Sequence, residues 1–281
     1  MRLTRRRALT GIGAVAVGAA AGARGLPLRT WYDDVTGACG PAGPAPPRRP
    51  GTRVLLGELR SRHVAGPVGY AIGLPPGHTG AAAVVCLPGR GSDARWVVDT
   101  LHVVDFVAAT GLGYAVAAVD GGESYWHRRA SGEDRLRMLF ADFLPLLERR
   151  FGLRPRAVMG WSMGGYGALL AAERHPARFR AVAVSSAAIW PSYAQQHAAV
   201  PDAFDGAADF ARNDVFAGSG RLAHTAVSIS CGTADPFLGN DRAFAARLAR
   251  APAGEFVAGC HDEDFWRRML PAQVRFVGRS L

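Results

Sequence analysis

From residue 53 onward the chain alternates two hydrophobic patterns. Short apolar runs, most without a polar interruption, are separated by longer stretches in which apolar positions recur every three or four residues. The short runs predict strands at 54–59, 68–74, 82–87, 114–119, 157–160, 181–185, 227–231 and 255–257, and a strand that is apolar throughout is covered on both faces. The longer stretches predict helices at 94–109, 133–151, 164–175, 239–250 and 263–277, the last with a kink near Pro271. Two early strands follow one another with no helix between them, and strand–helix alternation comes after. That order describes an α/β domain: a mostly parallel sheet of about eight strands with an antiparallel start, flanked by helices. Ligands of such sheets bind beyond the carboxyl ends of the strands.

The chain before residue 53 has neither pattern. Residues 1–23 join a basic start to an uncharged run of Ala, Gly and Val, with Ala21 and Ala23 suited to a signal peptidase. This predicts an export signal, and Thr4-Arg5-Arg6-Arg7-Ala8-Leu9 resembles its twin-arginine form. A permanent membrane span wants about 20 strongly apolar residues. The run here is shorter and Gly-rich, and Cys39 lies too far downstream for a lipid anchor, so no stable membrane anchor is expected after cleavage. Residues 24–52 include GACGPAGPAPPRRPG, too rich in Pro and Gly for a packed element, and predict a tether or an extended wrap. Residues 53–281 are long enough to bury one large core.

Charge and cysteine usage refine the picture. All 33 basic residues are arginine, and the formal net charge of +10 falls to about +6 once Arg2, Arg5, Arg6 and Arg7 leave with the signal. The remaining arginines are interspersed with acids, which gives nucleic-acid binding little support. The four cysteines, Cys39, Cys86, Cys231 and Cys260, would meet an oxidising compartment in an exported protein, and they allow three pairings. Cys231 and Cys260 end two predicted strands. A bridge between them would brace the loops that follow; two buried free thiols are the other reading.

Candidate chemistry concentrates in VMGWSMGGYG, residues 158–167. With 12 serines and 35 glycines in 281 residues, a GxSxG pattern arises by chance about 0.2 times, so its surroundings must decide its meaning. Here the surroundings are a predicted strand before Gly160 and a predicted helix after Gly164. A serine on such a turn stands at the carboxyl end of a strand with its hydroxyl exposed, and the flanking glycines let strand and helix approach.

A serine hydroxyl is a poor nucleophile without a base to take its proton. For a nucleophile on this kind of turn the chain order is Ser, acid, His. Of the downstream histidines, His175 ends the helix that Ser162 begins, His197 and His224 fall in loop-like stretches, and His261 follows the last predicted strand in FVAGCHDEDFW. His261 is therefore the expected base. The acid should follow a strand end, which favours Asp235 in SCGTADPF over Asp241 in the next helix. An oxyanion needs backbone donors: the Met163 amide after the nucleophile and an amide from the loop after the third strand. That loop, CLPGRGSD, makes the Arg90 amide the favoured second donor, with the Gly91 amide as the alternative. Tyr125 and Trp126, in the loop after the fourth strand, are expected to line a substrate pocket. This chemistry requires no cofactor and no metal, and no His or Cys pair has ligand spacing.

These segments together resemble the esterase D family of α/β-hydrolases, which includes S-formylglutathione hydrolases, feruloyl-type esterases and secreted mycolyltransferases. The resemblance runs from about residue 68 to 276. It rests on YAIGLPPG, on GWSMGGYGALLAAERHPARFRAVAVSSA and on GTADPF, the last similar to the acid loop of formylglutathione hydrolases. PGRGSDARW, VDGGESYWHRR and the His261-to-Trp266 spacing are similar to the mycolyltransferases. It implies an α/β-hydrolase fold and places the family's roles on Ser162, Asp235, His261, Arg90 and Met163. Two departures bear on the acyl acceptor: export does not suit a cytosolic glutathione thioester, and mycolyltransferases typically carry Glu where this chain has Asp235. Three expectations follow: an exported serine esterase acting on a small-molecule or lipid ester, an acyltransferase to a sugar or lipid alcohol with the same residues, or a binding module without catalysis.

Overall fold

The computed structural model of the chain describes residues 37–47 and 49–281; the predicted export signal lies outside them. The strands are β1 (Arg53–Arg60), β2 (Pro67–Leu74), β3 (Ala82–Leu87), β4 (Ala115–Val119), β5 (Arg154–Trp161), β6 (Ala181–Ser185), β7 (Ala226–Gly232) and β8 (Phe256–Val257). They form one sheet in the order β1-β2-β4-β3-β5-β6-β7-β8. β1 pairs antiparallel with β2, and β2 antiparallel with β4; every later pairing is parallel. This is the α/β-hydrolase arrangement, with the antiparallel start that the element order predicts.

Alternate residues of the central strands feed two cores, because successive side chains on a strand point to opposite faces. Val85, Leu87, Val158 and Val184 pack on one side with Phe143, Leu169 and Phe244. Val84, Cys86, Met159 and Ala183 pack on the other with Val104, Phe265, Leu270 and Val274. Burial on both faces is why these strands read as unbroken apolar runs.

The helices depart from the pattern where burial breaks them. The stretch 94–109 divides into α1 (Ala94–Asp99) and α2 (Val103–Thr110). Thr100 and Leu101 both donate to the Trp96 carbonyl, Leu101 is fully buried, and His102 takes a left-handed φ of 56°. The stretch 133–151 becomes α3 (Arg135–Met138), a π-helical turn (Leu139–Phe143) and α4 (Leu144–Phe151). α5 (Met163–Arg174) follows the predicted nucleophile. α6 (Tyr193–Ala199), α7 (Ala207–Arg212) and α8 (Val215–Gly218) occupy a region expected to be loops, and place His197 on a helix. α9 (Leu238–Ala245) is shorter than the predicted 239–250. α10 (Glu263–Gly278) continues through Pro271 as one helix.

The segment before β1 is anchored to the domain. Cys39 is bridged to Cys260, Arg268 donates to the carbonyls of Cys39, Pro41 and Ala258, and the Gly43 amide donates to Asp264 Oδ1 at 3.0 Å. The expected alternatives for Cys260 are thereby corrected: it is neither bonded to Cys231 nor free. Cys231 and Cys86 are buried free thiols. Cys231 is buried inside the domain, whereas Cys260 faces the N-terminal segment.

Candidate active site

Ser162 sits between β5 and α5 with φ 53° and ψ −119°, a backbone conformation that L-residues tolerate only when the surroundings impose it. Two glycines make the turn possible. A Cβ at Gly160 would collide with the Gly164 carbonyl, and one at Gly164 with the Leu87 and Pro88 carbonyls. The strained residue is held by its own backbone: Ser162 N donates to Ser185 O at 3.1 Å, and Ser162 O accepts from Ala188 N at 3.0 Å and Tyr166 N at 3.2 Å.

The structure brings together the three residues expected to act as a unit. Ser162 Oγ and His261 Nε2 are 2.9 Å apart, and His261 Nδ1 and Asp235 Oδ2 are 2.9 Å apart. An ionised carboxylate only accepts, so Nδ1–H donates to Asp235 and Nε2 is left to accept from the Ser162 hydroxyl. Asp235 follows β7 and also takes the Phe237 amide at 2.8 Å on Oδ1. His261 follows β8, in the loop pinned by the Cys260 bridge. The Asp235 side chain is fully buried and His261 is 28% exposed.

The acid's surroundings keep it ionised. Burial alone would push the Asp235 carboxyl up, but hydrogen bonds from His261, the imidazole's charge, the Phe237 amide and the Ser186 hydroxyl together hold it below the usual carboxylate range. Asp241 behaves oppositely. It is fully buried on α9, its Oδ2 accepts from the Ala187 amide at 3.0 Å, and burial followed by the charge of Asp235 pushes its carboxyl well up. Asp241 is thus a structural acid whose charged form burial disfavours, and Asp235 is the partner of the histidine.

The loop after β3 lies against the nucleophile, with the Cβ position of Gly89 3.4 Å from Ser162 Cβ. The Arg90 side chain ties this loop to two others. Its Nε donates to Glu123 Oε2 at 2.6 Å, and its Nη1 and Nη2 to Asp202 at 3.0 and 2.6 Å. Met163 is the first residue of α5, where a backbone N–H has no intrahelical partner. Nothing in sequence spacing links Arg90 to Glu123 or Asp202, which come from distant loops.

The expected pocket aromatics are placed differently. Trp126 is fully buried, and its ring fills the space that side chains at Gly121 and Gly167 would need. It is a core residue. Tyr125 is 3% exposed and packs with Tyr166, Trp190 and Phe204. Positive φ at both residues, 54° and 63°, turns them inward, a conformation their sequence gives no sign of. Two aromatics flank His261: Trp266, with ring centroids 5.2 Å apart, and Phe237, at 5.3 Å; Trp190 stands behind Phe237 at 5.6 Å and Tyr125 behind that at 5.8 Å. A cavity of about 390 Å³ adjoins the Arg90 loop, lined by Gly91, Ser92, Trp96, Gly122 and Glu123. Another, of about 500 Å³, lies by Phe140, Arg174 and His175. None of Ser162, Asp235 and His261 lines it. Among the described residues, the grouping of potential metal ligands is Cys39, Cys260 and Asp262, and both of its sulfurs are in the disulfide.

Comparison with known proteins places the chain by family and by fold. The Esterase family model matches residues 94–277. No curated protein sequence matches the chain. Among solved structures, the S-formylglutathione hydrolase of Agrobacterium tumefaciens superposes with a TM-score of 0.72 at 17% identity, over 83% of this chain and 97% of that one. A ferulic acid esterase superposes with 0.69 at 21% identity, over 81% and 98%. MPT51 (FbpC1) of Mycobacterium tuberculosis does so with 0.65 at 21% identity, over 79% and 97%. At these identities the likeness is one of fold.

Proposed function

This chain belongs to the Esterase family, and from that premise we propose that it is an exported serine esterase that works through an acyl-serine intermediate. The observation that carries the proposal is the pair of 2.9 Å contacts linking Ser162, His261 and Asp235 at the strained turn. Ser162 Oγ attacks the ester carbonyl as its proton passes to His261 Nε2. The carbonyl oxygen gains charge and is received by the Met163 and Arg90 amides, backbone donors that stabilise a developing oxyanion. Collapse breaks the bond to the alcohol, which leaves with the proton from His261. Water, deprotonated by the same imidazole, then releases the acid and restores Ser162. Asp235 stays ionised throughout and fixes the imidazole's tautomer and orientation.

Carboxylic esters fit as the substrate class because the matching family model is an esterase and a structure of the same fold is a ferulic acid esterase. Export is supported by the arginine-rich start of the chain and by the Cys39–Cys260 bridge, since disulfides persist in oxidising compartments. The test is a series of p-nitrophenyl esters of graded acyl length, assayed with and without glycerol or trehalose. The expected outcome is release of free acid, with kcat lowered by about 10⁴–10⁶ in Ser162→Ala. Transfer product exceeding free acid would replace hydrolysis by acyl transfer; no turnover of any ester would leave the binding-module reading.

A further inference from the structure

The loop after β3 is firm at its two ends and loose at its tip. At one end the Leu87 and Pro88 carbonyls lie against Gly164; at the other the Ala94 amide donates to Asp120 Oδ1 at 2.7 Å. Arg90 stands between Gly89 and Gly91, the second with a left-handed φ of 76°, and glycine lends its neighbours no backbone stiffness. Packing adds little. A Cβ at Gly91 would meet nothing within 4 Å, and one at Gly89 would meet Trp161 O and Ser162 Cβ, both at 3.4 Å. One backbone bond, Ser92 N to Gly89 O at 3.2 Å, closes the turn. Yet an amide that receives an oxyanion is effective only if it is already in place when the charge develops.

The missing restraint comes from the Arg90 side chain. Its Nε donates to Glu123 Oε2 at 2.6 Å, while Nη1 and Nη2 donate to the two carboxylate oxygens of Asp202 at 3.0 and 2.6 Å. The fork on Asp202 is bidentate, a geometry that suits a planar guanidinium and no other side chain. Its two supports belong to separate loops, Glu123 between β4 and α3 and Asp202 between α6 and α7, and each support is itself held. Asp202 O accepts from Arg129 Nη2 at 2.9 Å, and Asp205 Oδ1 takes Arg129 Nε and Nη2 at 3.2 and 3.0 Å. Ala203 and Phe204 beside Asp202 are buried, as are Ser124, Tyr125 and Trp126 after Glu123. The side chains of Arg90, Glu123 and Asp202 are 35%, 62% and 64% exposed, so either ion pair alone would be weak. A bidentate fork within a network of several charges is the arrangement that can hold a geometry in water.

We propose that the Arg90 side chain is a positioning residue for the oxyanion hole: clamped to Glu123 and Asp202, it fixes the Gly89-Arg90-Gly91 tip, and with it the Arg90 amide, beside Ser162. The inference rests on the esterase reading above. A cation so near the nucleophile could instead act on the oxyanion by its own charge, but this one already faces two carboxylates. The two roles make opposite demands on those carboxylates. Positioning needs them, whereas direct action of the charge would be stronger without them.

Variants at both ends of the clamp test this. Arg90→Met keeps an unbranched side chain and deletes the guanidinium; its kcat on a p-nitrophenyl ester should fall about ten- to hundredfold at unchanged KM, less than the roughly 10²–10³ of losing an oxyanion donor outright. Its affinity for a boronic acid, whose tetrahedral adduct on Ser162 sets an oxygen where the oxyanion forms, should fall by the same factor. A role confined to folding would not tie these two losses together. Arg90→Lys keeps the charge without the fork and should lose as much as Arg90→Met. The double variant Glu123→Gln, Asp202→Asn leaves the guanidinium in place and should lose most of the same factor; with its exposed, near-isosteric changes it carries the test should Arg90→Met fail to fold. Wild-type kcat in Arg90→Met overturns the proposal, and so does a change confined to KM. A double variant with wild-type or higher kcat also overturns it, because the guanidinium would then act by its own charge. Ser162→Ala is assayed in parallel: if it retains activity the esterase reading itself fails, whereas an inactive Ser162→Ala beside a wild-type-like Arg90→Met removes only the clamp.

Discussion

At the scale of single residues, two buried carboxyls take opposite charge states for one reason. Asp235 collects donors from His261 and the Phe237 amide and stays ionised; Glu173, on α5, has an unpartnered Oε1 and is pushed up to about 9 by burial, against the opposing charge of Arg221. An acid whose folded pKa is raised binds a proton in the folded state that the unfolded state has released. Its favourable contribution is full below the ordinary value of 4.5 and is lost as pH rises toward 9. Glu173→Gln, which cannot ionise, should therefore raise the melting temperature relative to wild type at pH 8, with the gap narrowing as pH falls toward 5. Thermal melts across that range check this; a constant gap would mean that Glu173 is already ionised in the fold. The sequence shows little of this. Ser162, Asp235 and His261 are legible because order along the chain mirrors order across the sheet, whereas the ion pairs of Arg90 with Glu123 and Asp202 join loops that only the fold brings together.

At the scale of elements, the turn between β5 and α5 is built by exclusion. Gly164 lets the helix start touch the Leu87 and Pro88 carbonyls, and that contact sets the height of the Arg90 loop over Ser162. Overpacking at such a contact costs about 1–3 kcal/mol or more. Gly164→Ala should lower stability by at least that amount and reduce kcat, since the loop must move away. Gly220→Ala is the control: its Cβ meets nothing within 4 Å and its φ is not left-handed, so it should be neutral within about 0.5 kcal/mol. Urea melts and ester turnover on both variants decide the matter, and equal stability of the two would contradict the packing account. The strands were readable here because double-sided burial writes itself as apolar runs. The helix boundaries were less so: no Gly or Pro marks the break at His102, and the π-helical turn at Leu139–Phe143 answers to packing, not to any local preference. The small helices α6, α7 and α8 lack the long amphipathic repeat that would have revealed them.

At the scale of the whole molecule, three distant parts converge on one imidazole. The sheet sets the ends of β5, β7 and β8 along one edge, with β6 between β5 and β7, and so delivers nucleophile, acid and base. α10 brings Trp266 to His261, and the segment before β1 is bridged to the residue next to it. That bridge was beyond reach from sequence, because Cys39 lies in a stretch with no element to place it. The account as a whole stands on Ser162 being the residue that takes the acyl group. The most direct measurement is reaction of the folded protein with a fluorophosphonate, followed by peptide mass spectrometry to locate the adduct. The account predicts a single phosphonyl adduct on Ser162, formed with loss of all esterase activity and absent in His261→Ala on the same timescale. Full inhibition with the adduct on any other residue, or ester hydrolysis that survives complete labelling of Ser162, would contradict it.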